Sequence, residues 1–182
     1  MEKVLAATRQ DCTPTGIRDY AVWMLLSRYG LRSREIRTLR LDDINWDKET
    51  IRIHHTKTGA TSYLPLLPEV GEAILAYLEK VRPRVSHREI FIRQIAPRRP
   101  FKTIYWVVRR RLDAAGVVTS GRRGSHALRH ARAVKLLSAK VPLKQIGDVL
   151  GHQHSGSTMI YLKLATDGLR RIALDIPMEV TA

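Results

Sequence analysis

One third of this chain carries all of its net charge. Between Lys80 and Lys140 there are 17 lysines and arginines against two acids, Glu89 and Asp113, a balance equal to the +15 of the whole 182-residue sequence. The remaining residues are neutral in sum. Arginines recur in clusters: Arg82 with Arg84, Arg98 with Arg99, Arg109 to Arg111, and Arg122 with Arg123. A solubilising surface would mix both signs. A concentrated single-sign segment favours a polyanionic partner, because each neutralised phosphate releases counterions and the guanidinium fork matches phosphate oxygens. An anionic membrane surface is the weaker account, since the clusters lie in separate segments rather than along one amphipathic helix.

The rest of the composition narrows the class. An apolar fraction of 44% and three tryptophans predict a folded core rather than disorder. A chain of this length buries about 70% of its unfolded surface. Cys12 is the only cysteine, so no internal disulfide can form. No apolar run approaches the roughly 20 residues of a membrane span, and the first residues lack the apolar stretch of a signal peptide. A cytosolic, basic, globular domain is the expectation.

Hydrophobic periodicity then orders the elements. Tyr20, Ala21, Met24, Leu25 and Tyr29 recur at helical spacing, predicting a helix over 17–29 with Pro14 and Thr15 at its start and Gly30 at its C-terminal cap. A short helix follows over 33–39. Residues 43–48 read as strand then turn, 50–54 alternate with period two, and 61–66 do so roughly, predicting a three-stranded antiparallel sheet. Residues 56–59 form the turn between the last two strands, with Lys57 at its mouth. Helices are expected over 68–81, 103–115 (with one arginine-rich face), 125–137, 143–150, 157–164 and 167–174, the last ended by Pro177. The fold class is α+β, mostly helical, with a small sheet on the N-terminal side.

No single polar residue decides the chemistry. His126 and Arg129, three apart, share a helix face, with Leu128, Ala131, Val134 and Leu137 as the expected buried stripe. His126, His130, His152 and His154 invite a metal reading, but the spacing is poor and neither a Cys pair nor an intervening Glu supports it. No metal and no cofactor is expected. Alone, Tyr161 would read as core, Lys57 as a turn lysine and Cys12 as a bystander.

The order of the motifs says more. Gly30-Leu31-Arg32-Ser33-Arg34-Glu35-Ile36 is followed by Lys57 in a hairpin with Thr58-Gly59 and the Leu64-Pro65-Leu66 strand. Then come His126-x-x-Arg129, Leu150-Gly151-His152, and Tyr161 nine residues later. This series, from about residue 17 to 164, resembles the tyrosine recombinase (phage integrase) family, whose catalytic domain carries Arg, Lys, His-x-x-Arg, His or Trp, and Tyr in that order. The resemblance implies a mostly helical catalytic domain over 17–165, an N-terminal extension or linker over 1–16 and a C-terminal helix or tail over 166–182. It implies site-specific DNA cutting and rejoining through a 3′-phosphotyrosyl intermediate, without metal or ATP.

The chemistry of the residues suits those positions. Breaking a phosphodiester requires shielding of the phosphate charge, a deprotonated nucleophile and a proton for the leaving 5′-oxygen. Arg32 and Arg129 suit the first, since each guanidinium forks onto two oxygens and stays charged. Tyr161 is the nucleophile candidate, and with an ordinary pKa of about 10 it needs a positive field or a base. His126 can be that base. Lys57 matches the family's general acid. His152 would hydrogen-bond the phosphate, and Glu35 would hold Arg32 from behind. Arg98, Arg99, Lys102, Arg109, Arg110, Arg111, Arg122 and Arg123 are the expected contacts to double-stranded DNA.

Two departures from the family pattern stand out. Only about 16 residues precede the first expected helix, too few for the separate N-terminal helical domain usual in the family, so a fragment or a short member is expected. Arg34 occupies a position usually held by a small residue, where it could compete for Glu35 or contact DNA. After Tyr161, the residues Leu169, Ile172, Ala173 and Ile176 would form an apolar face, docking either on a neighbouring protomer in a dimer or tetramer or on their own domain. Two alternatives share the motifs: a catalytically silent DNA-binding relative, and a type IB topoisomerase-like enzyme that reseals the same strand. An RNA-binding module would have no reason to hold the motifs in order.

Overall fold

A computed structural model of the chain describes residues 1–56, 59–118 and 124–150. Among them are α1 (Glu2–Gln10), α2 (Pro14–Tyr29), α3 (Ser33–Thr38), β1 (Ile44–Asn45), β2 (Thr50–His54), β3 (Thr61–Pro65), α4 (Pro68–Lys80), α5 (Tyr105–Ala114), α6 (Ser125–Ser138) and α7 (Leu143–Leu150). A short 3-10 turn, Leu41–Asp43, leads into β1. The α+β class and the three-stranded antiparallel sheet, in the order β1-β2-β3, agree with the sequence reading. The helices expected over 157–164 and 167–174 lie outside the described residues.

Helix α2 is the axis of the core. Thr13 caps it by accepting a hydrogen bond from the Gly16 N–H at 3.0 Å, and Pro14 enters its first turn, where a missing N–H costs nothing. Ala21 to Leu26 form an unbroken buried run. A helix apolar on every side must be surrounded, and α1, α4, α5 and α6 all pack against it. Its end is set by Gly30, whose φ of 65° closes the helix while the Gly30 N–H reaches the Leu26 carbonyl at 3.0 Å.

The first residues depart from expectation. Residues 2–10 form a helix, and Val4, Leu5 and Thr8 are buried against the main core. With polar Thr8 completing the buried side, Val4 and Leu5 alone do not mark a helical stripe, and the faces presented by α2 and α5 make the burial available.

In the sheet, Ile51 pairs with Leu64 and with Ile44, and all three side chains point into the core. Arg52, His54 and Tyr63 lie on the opposite face, as the two-residue period requires.

Helix α6 corrects the expected stripe. Ala131 is exposed, Val134 and Leu137 are only partly buried, and the buried positions are Leu128, Arg129 and Ala133. Ala133 joins Ile146 and Leu150 of α7 in a small separate core, flanked by Leu136, Leu137 and Val141.

Candidate functional site

The loop from α2 to α3 places Arg32 at the N-cap of α3. Glu35, three residues on and fully buried in its side chain, turns back toward that cap. Its Oε2 accepts from the Arg32 backbone N–H at 2.7 Å, and its Oε1 accepts from Arg32 Nη1 at 2.6 Å. The short helix thus begins with its own acid clamping the arginine that starts it. Burial by itself would raise the Glu35 pKa. The hydrogen bonds from His55 and from both the backbone and the guanidinium of Arg32 outweigh it, and the carboxyl stays below its ordinary value. The Arg34 side chain is exposed.

Helix α6 supplies the second arginine. Arg129 is buried; its Nη1 donates to the Gly30 carbonyl at 2.8 Å and its Nη2 donates to the Leu150 carbonyl. The guanidinium therefore ties the turn that leads to Arg32 to the last residue of α7. His126, one turn earlier on α6, is exposed. Helix α7 also packs against β3, so the hairpin, the end of α7 and the start of α3 share one neighbourhood.

Of the sequence-derived set, Arg32, Glu35 and Arg129 are drawn together, and His126 lies on the helix of Arg129. Lys57, His152 and Tyr161 fall outside the described residues, as do Arg122 and Arg123. The other basic positions divide. Arg98, Arg99, Lys102 and Arg109 are exposed. Arg110 is as exposed as Arg109 and also donates to Asp19 Oδ2 at 3.0 Å. Arg111 is buried, with Nε donating to Asp19 Oδ2 at 3.0 Å and Nη1 donating to Asp11 Oδ2 at 2.5 Å. The arginines of α5 thus do not share a face. Arg111 sits four residues after Val107 and three after Val108, on the buried side of the helix, where its charge is committed to two carboxylates.

Sequence reasoning missed His55. It is buried, with Nδ1 2.9 Å from Glu35 Oε1 and Nε2 2.9 Å from Ser62 Oγ. The signal was available: Ile51 and Ile53 set the inward phase of β2, and residue 55 is the next position in that phase.

Among the described residues no group of three His, Cys, Asp or Glu side chains could hold a metal ion, and no helix is long and apolar enough to cross a membrane. A cleft of about 480 Å³ between α1, α2 and α4, lined by Thr8, Cys12, Tyr20, Glu72 and Ala76 among others, contains none of the candidate residues.

The family model described as "Phage integrase family" matches residues 1–167. The chain belongs to that family. Within it, the chain is 54% identical to y4gC of Sinorhizobium fredii over 98% of its own length and 94% of that protein. It is 30% identical to the tyrosine recombinase XerA of Thermococcus kodakarensis over 87% of its length, but spans only 55% of that protein. The fold matches the crystal structure of the XerH site-specific recombinase bound to palindromic difH substrate in a post-cleavage complex, with a TM-score of 0.77 and 22% identity, over 94% of this chain and 50% of that one. The chain therefore spans about half of these longer family members and nearly all of y4gC.

Proposed function

We propose that this chain is the catalytic part of a site-specific DNA recombinase that cuts and rejoins double-stranded DNA through a 3′-phosphotyrosyl link. The observation that carries the reading is the joining of Arg32 and Arg129 through one turn: Arg129 holds the carbonyl of Gly30, two residues before Arg32, while Glu35 holds Arg32 itself. Two guanidiniums anchored on a common backbone segment suit a doubly charged pentacoordinate phosphate. Family membership supports the same reading, as does the fold shared with a recombinase solved on its cleaved DNA.

In the proposed reaction, the Tyr161 hydroxyl oxygen attacks the scissile phosphorus and gives up its proton to His126. The bond from phosphorus to the 5′-oxygen breaks, and Lys57 delivers a proton to that oxygen, leaving a free 5′-hydroxyl. Arg32, Arg129 and His152 neutralise the phosphoryl oxygens. A 5′-hydroxyl from a partner strand gives its proton to Lys57 and attacks the phosphotyrosyl phosphorus; the bond from phosphorus to the tyrosyl oxygen breaks, and Tyr161 takes its proton back from His126. Bond energy is conserved in the covalent intermediate, so the cycle consumes no nucleotide. Arg98, Arg99, Lys102 and Arg109, with Arg110, Arg122 and Arg123, grip the DNA backbone and contribute affinity rather than sequence choice. The working form is a dimer or tetramer on DNA, associated with the nucleoid in the cytoplasm.

The test is covalent trapping on nicked suicide DNA drawn from the flanks of the element that encodes the chain. The unaltered chain is expected to give an SDS-resistant adduct and Tyr161→Phe none. Salt-sensitive DNA binding without an adduct, persisting after an N-terminal clamp domain is supplied, would identify a silent binder instead. Supercoil relaxation without strand exchange would identify a topoisomerase-like enzyme.

A further inference from the structure

A buried imidazole costs hydration at both ring nitrogens, and an aliphatic side chain would fill the same core position without that cost. His55 recovers it with two partners on different segments. Glu35 is a carboxylate and can only accept, so Nδ1 carries the proton of that hydrogen bond, and Nε2 shares a second hydrogen bond with the Ser62 hydroxyl. The backbone of the same residue closes the turn between β2 and β3. The His55 N–H donates to the Ala60 carbonyl at 2.8 Å, and the Gly59 N–H donates to the His55 carbonyl at 2.8 Å. His55 therefore holds both the base of this turn and the carboxylate that clamps Arg32.

We infer that His55 is a positioning residue for strand cleavage: it sets the β2–β3 turn against the Arg32–Glu35 pair. The inference rests on the function proposed above. In the sequence, Lys57 follows His55 by two positions and precedes Gly59, whose N–H reaches the His55 carbonyl. A general acid must meet the leaving oxygen at hydrogen-bond distance, and a misplacement of about 1 Å can cost on the order of a hundredfold in rate. With the ring removed, the turn loses its side-chain anchors to Glu35 and to Ser62, while Arg32 keeps both of its own bonds to Glu35.

The experiment compares adduct formation on two suicide substrates, one with the ordinary bridging 5′-oxygen and one with a bridging 5′-sulfur. A thiol is a far stronger acid than an alcohol, so a thiolate departs without a donated proton. A defect in delivering the acid disappears on sulfur, whereas a defect in shielding the phosphate does not. Lys57→Ala is the reference for the first kind and Arg32→Ala for the second. His55→Ala is expected to slow the oxygen substrate by roughly tenfold or more and the sulfur substrate by less than about threefold. Ser62→Ala, which severs only the turn side and leaves the Glu35 contact, is expected to show a smaller defect that sulfur also removes. If His55→Ala fails to fold, Ser62→Ala decides. If both variants are slowed equally on the two substrates, or neither is slowed, the inference is overturned while the proposed function stands. If sulfur fails to restore Lys57→Ala, the acid is misassigned, and that reading falls together with the inference.

Discussion

Arg129 and Gly30 are joined by a 2.8 Å hydrogen bond from guanidinium to backbone carbonyl across 99 positions of sequence. The same guanidinium holds the Leu150 carbonyl, so one buried charge fastens the end of α2, the body of α6 and the end of α7. Arginine suits this place because its planar fork presents several donors in fixed directions, and carbonyls at two helix ends carry the partial negative charge that a cation satisfies.

Arg129→Lys keeps the charge but replaces the fork with a single ammonium. Losing a charge-assisted hydrogen bond at a buried site costs about 2 kcal/mol. Urea unfolding is expected to show a loss of that size, with adduct formation on suicide DNA reduced by roughly a hundredfold or more. An unchanged midpoint would mean that the ammonium satisfies both carbonyls.

Gly30→Ala strains the same junction from the other side. The residue adopts a φ of 65°, and an added Cβ would lie 3.0 Å from Leu150 Cδ2 and 3.4 Å from Arg132 Cγ. The left-handed backbone alone costs about 1–2 kcal/mol for a residue with a Cβ. Denaturant midpoints are expected to fall by at least that equivalent, and the α6–α7 unit is expected to lose amide-exchange protection first.

Asp11 provides an acid-sensitive contact. Hydrogen bonds from Thr13 and the Arg111 guanidinium push its carboxyl down to about 2, against 3.8 for a free side chain. Because the folded value is the lower one, the stabilisation is fully present above pH 3.8 and disappears as the pH falls through about 2. Asp11→Asn is expected to lower the melting temperature by about 2–4 °C near pH 6. The difference from the unaltered chain should close on acidification to pH 2; a gap that stays constant would show that the charge of Asp11 is not what matters.

The basic residues of the 80–140 segment separate by burial. Arg98→Ala, Lys102→Ala and Arg109→Ala are each expected to weaken DNA binding uniformly across sequences and to lower the log–log salt slope by about 0.9. Arg111→Ala is expected to leave that slope unchanged. It strands the buried Asp19 carboxylate without one of its partners, so the loss belongs to stability, at about 3 kcal/mol. Fluorescence anisotropy across a salt series, beside thermal melts, distinguishes the two patterns.

Most elements were legible in the one-dimensional pattern because each has a strong local cause. Pro14 and Gly30 bracket α2, the alternation of 50–54 marks β2, and the 3.6-residue rhythm marks α4 and α7. Those causes act within a few residues, so a sequence read window by window finds them. Helix α1 escaped because its buried side offers only two large apolar residues, Val4 and Leu5, completed by the polar Thr8, and its burial depends on faces supplied from α2 and α5. The inward turn of Arg111 could have been read from Val107 and Val108. It was hidden by the assumption that adjacent arginines share a face, although successive residues of a helix point about 100° apart.

The class of protein is written in residue identity and spacing: the order of Arg32, Lys57, His126, Arg129, His152 and Tyr161 and the single basic third of the chain need no folding to be seen. Which partners the inward-facing polar groups meet came from the packing of distant segments. Arg111 and Asp19, 92 positions apart, neutralise each other in the core, and His55 closes on Glu35 over 20 positions. A hydrogen bond falls off within a few tenths of an ångström, so such pairings depend on where the packed helices and the hairpin set each backbone, and no local pattern encodes that distance.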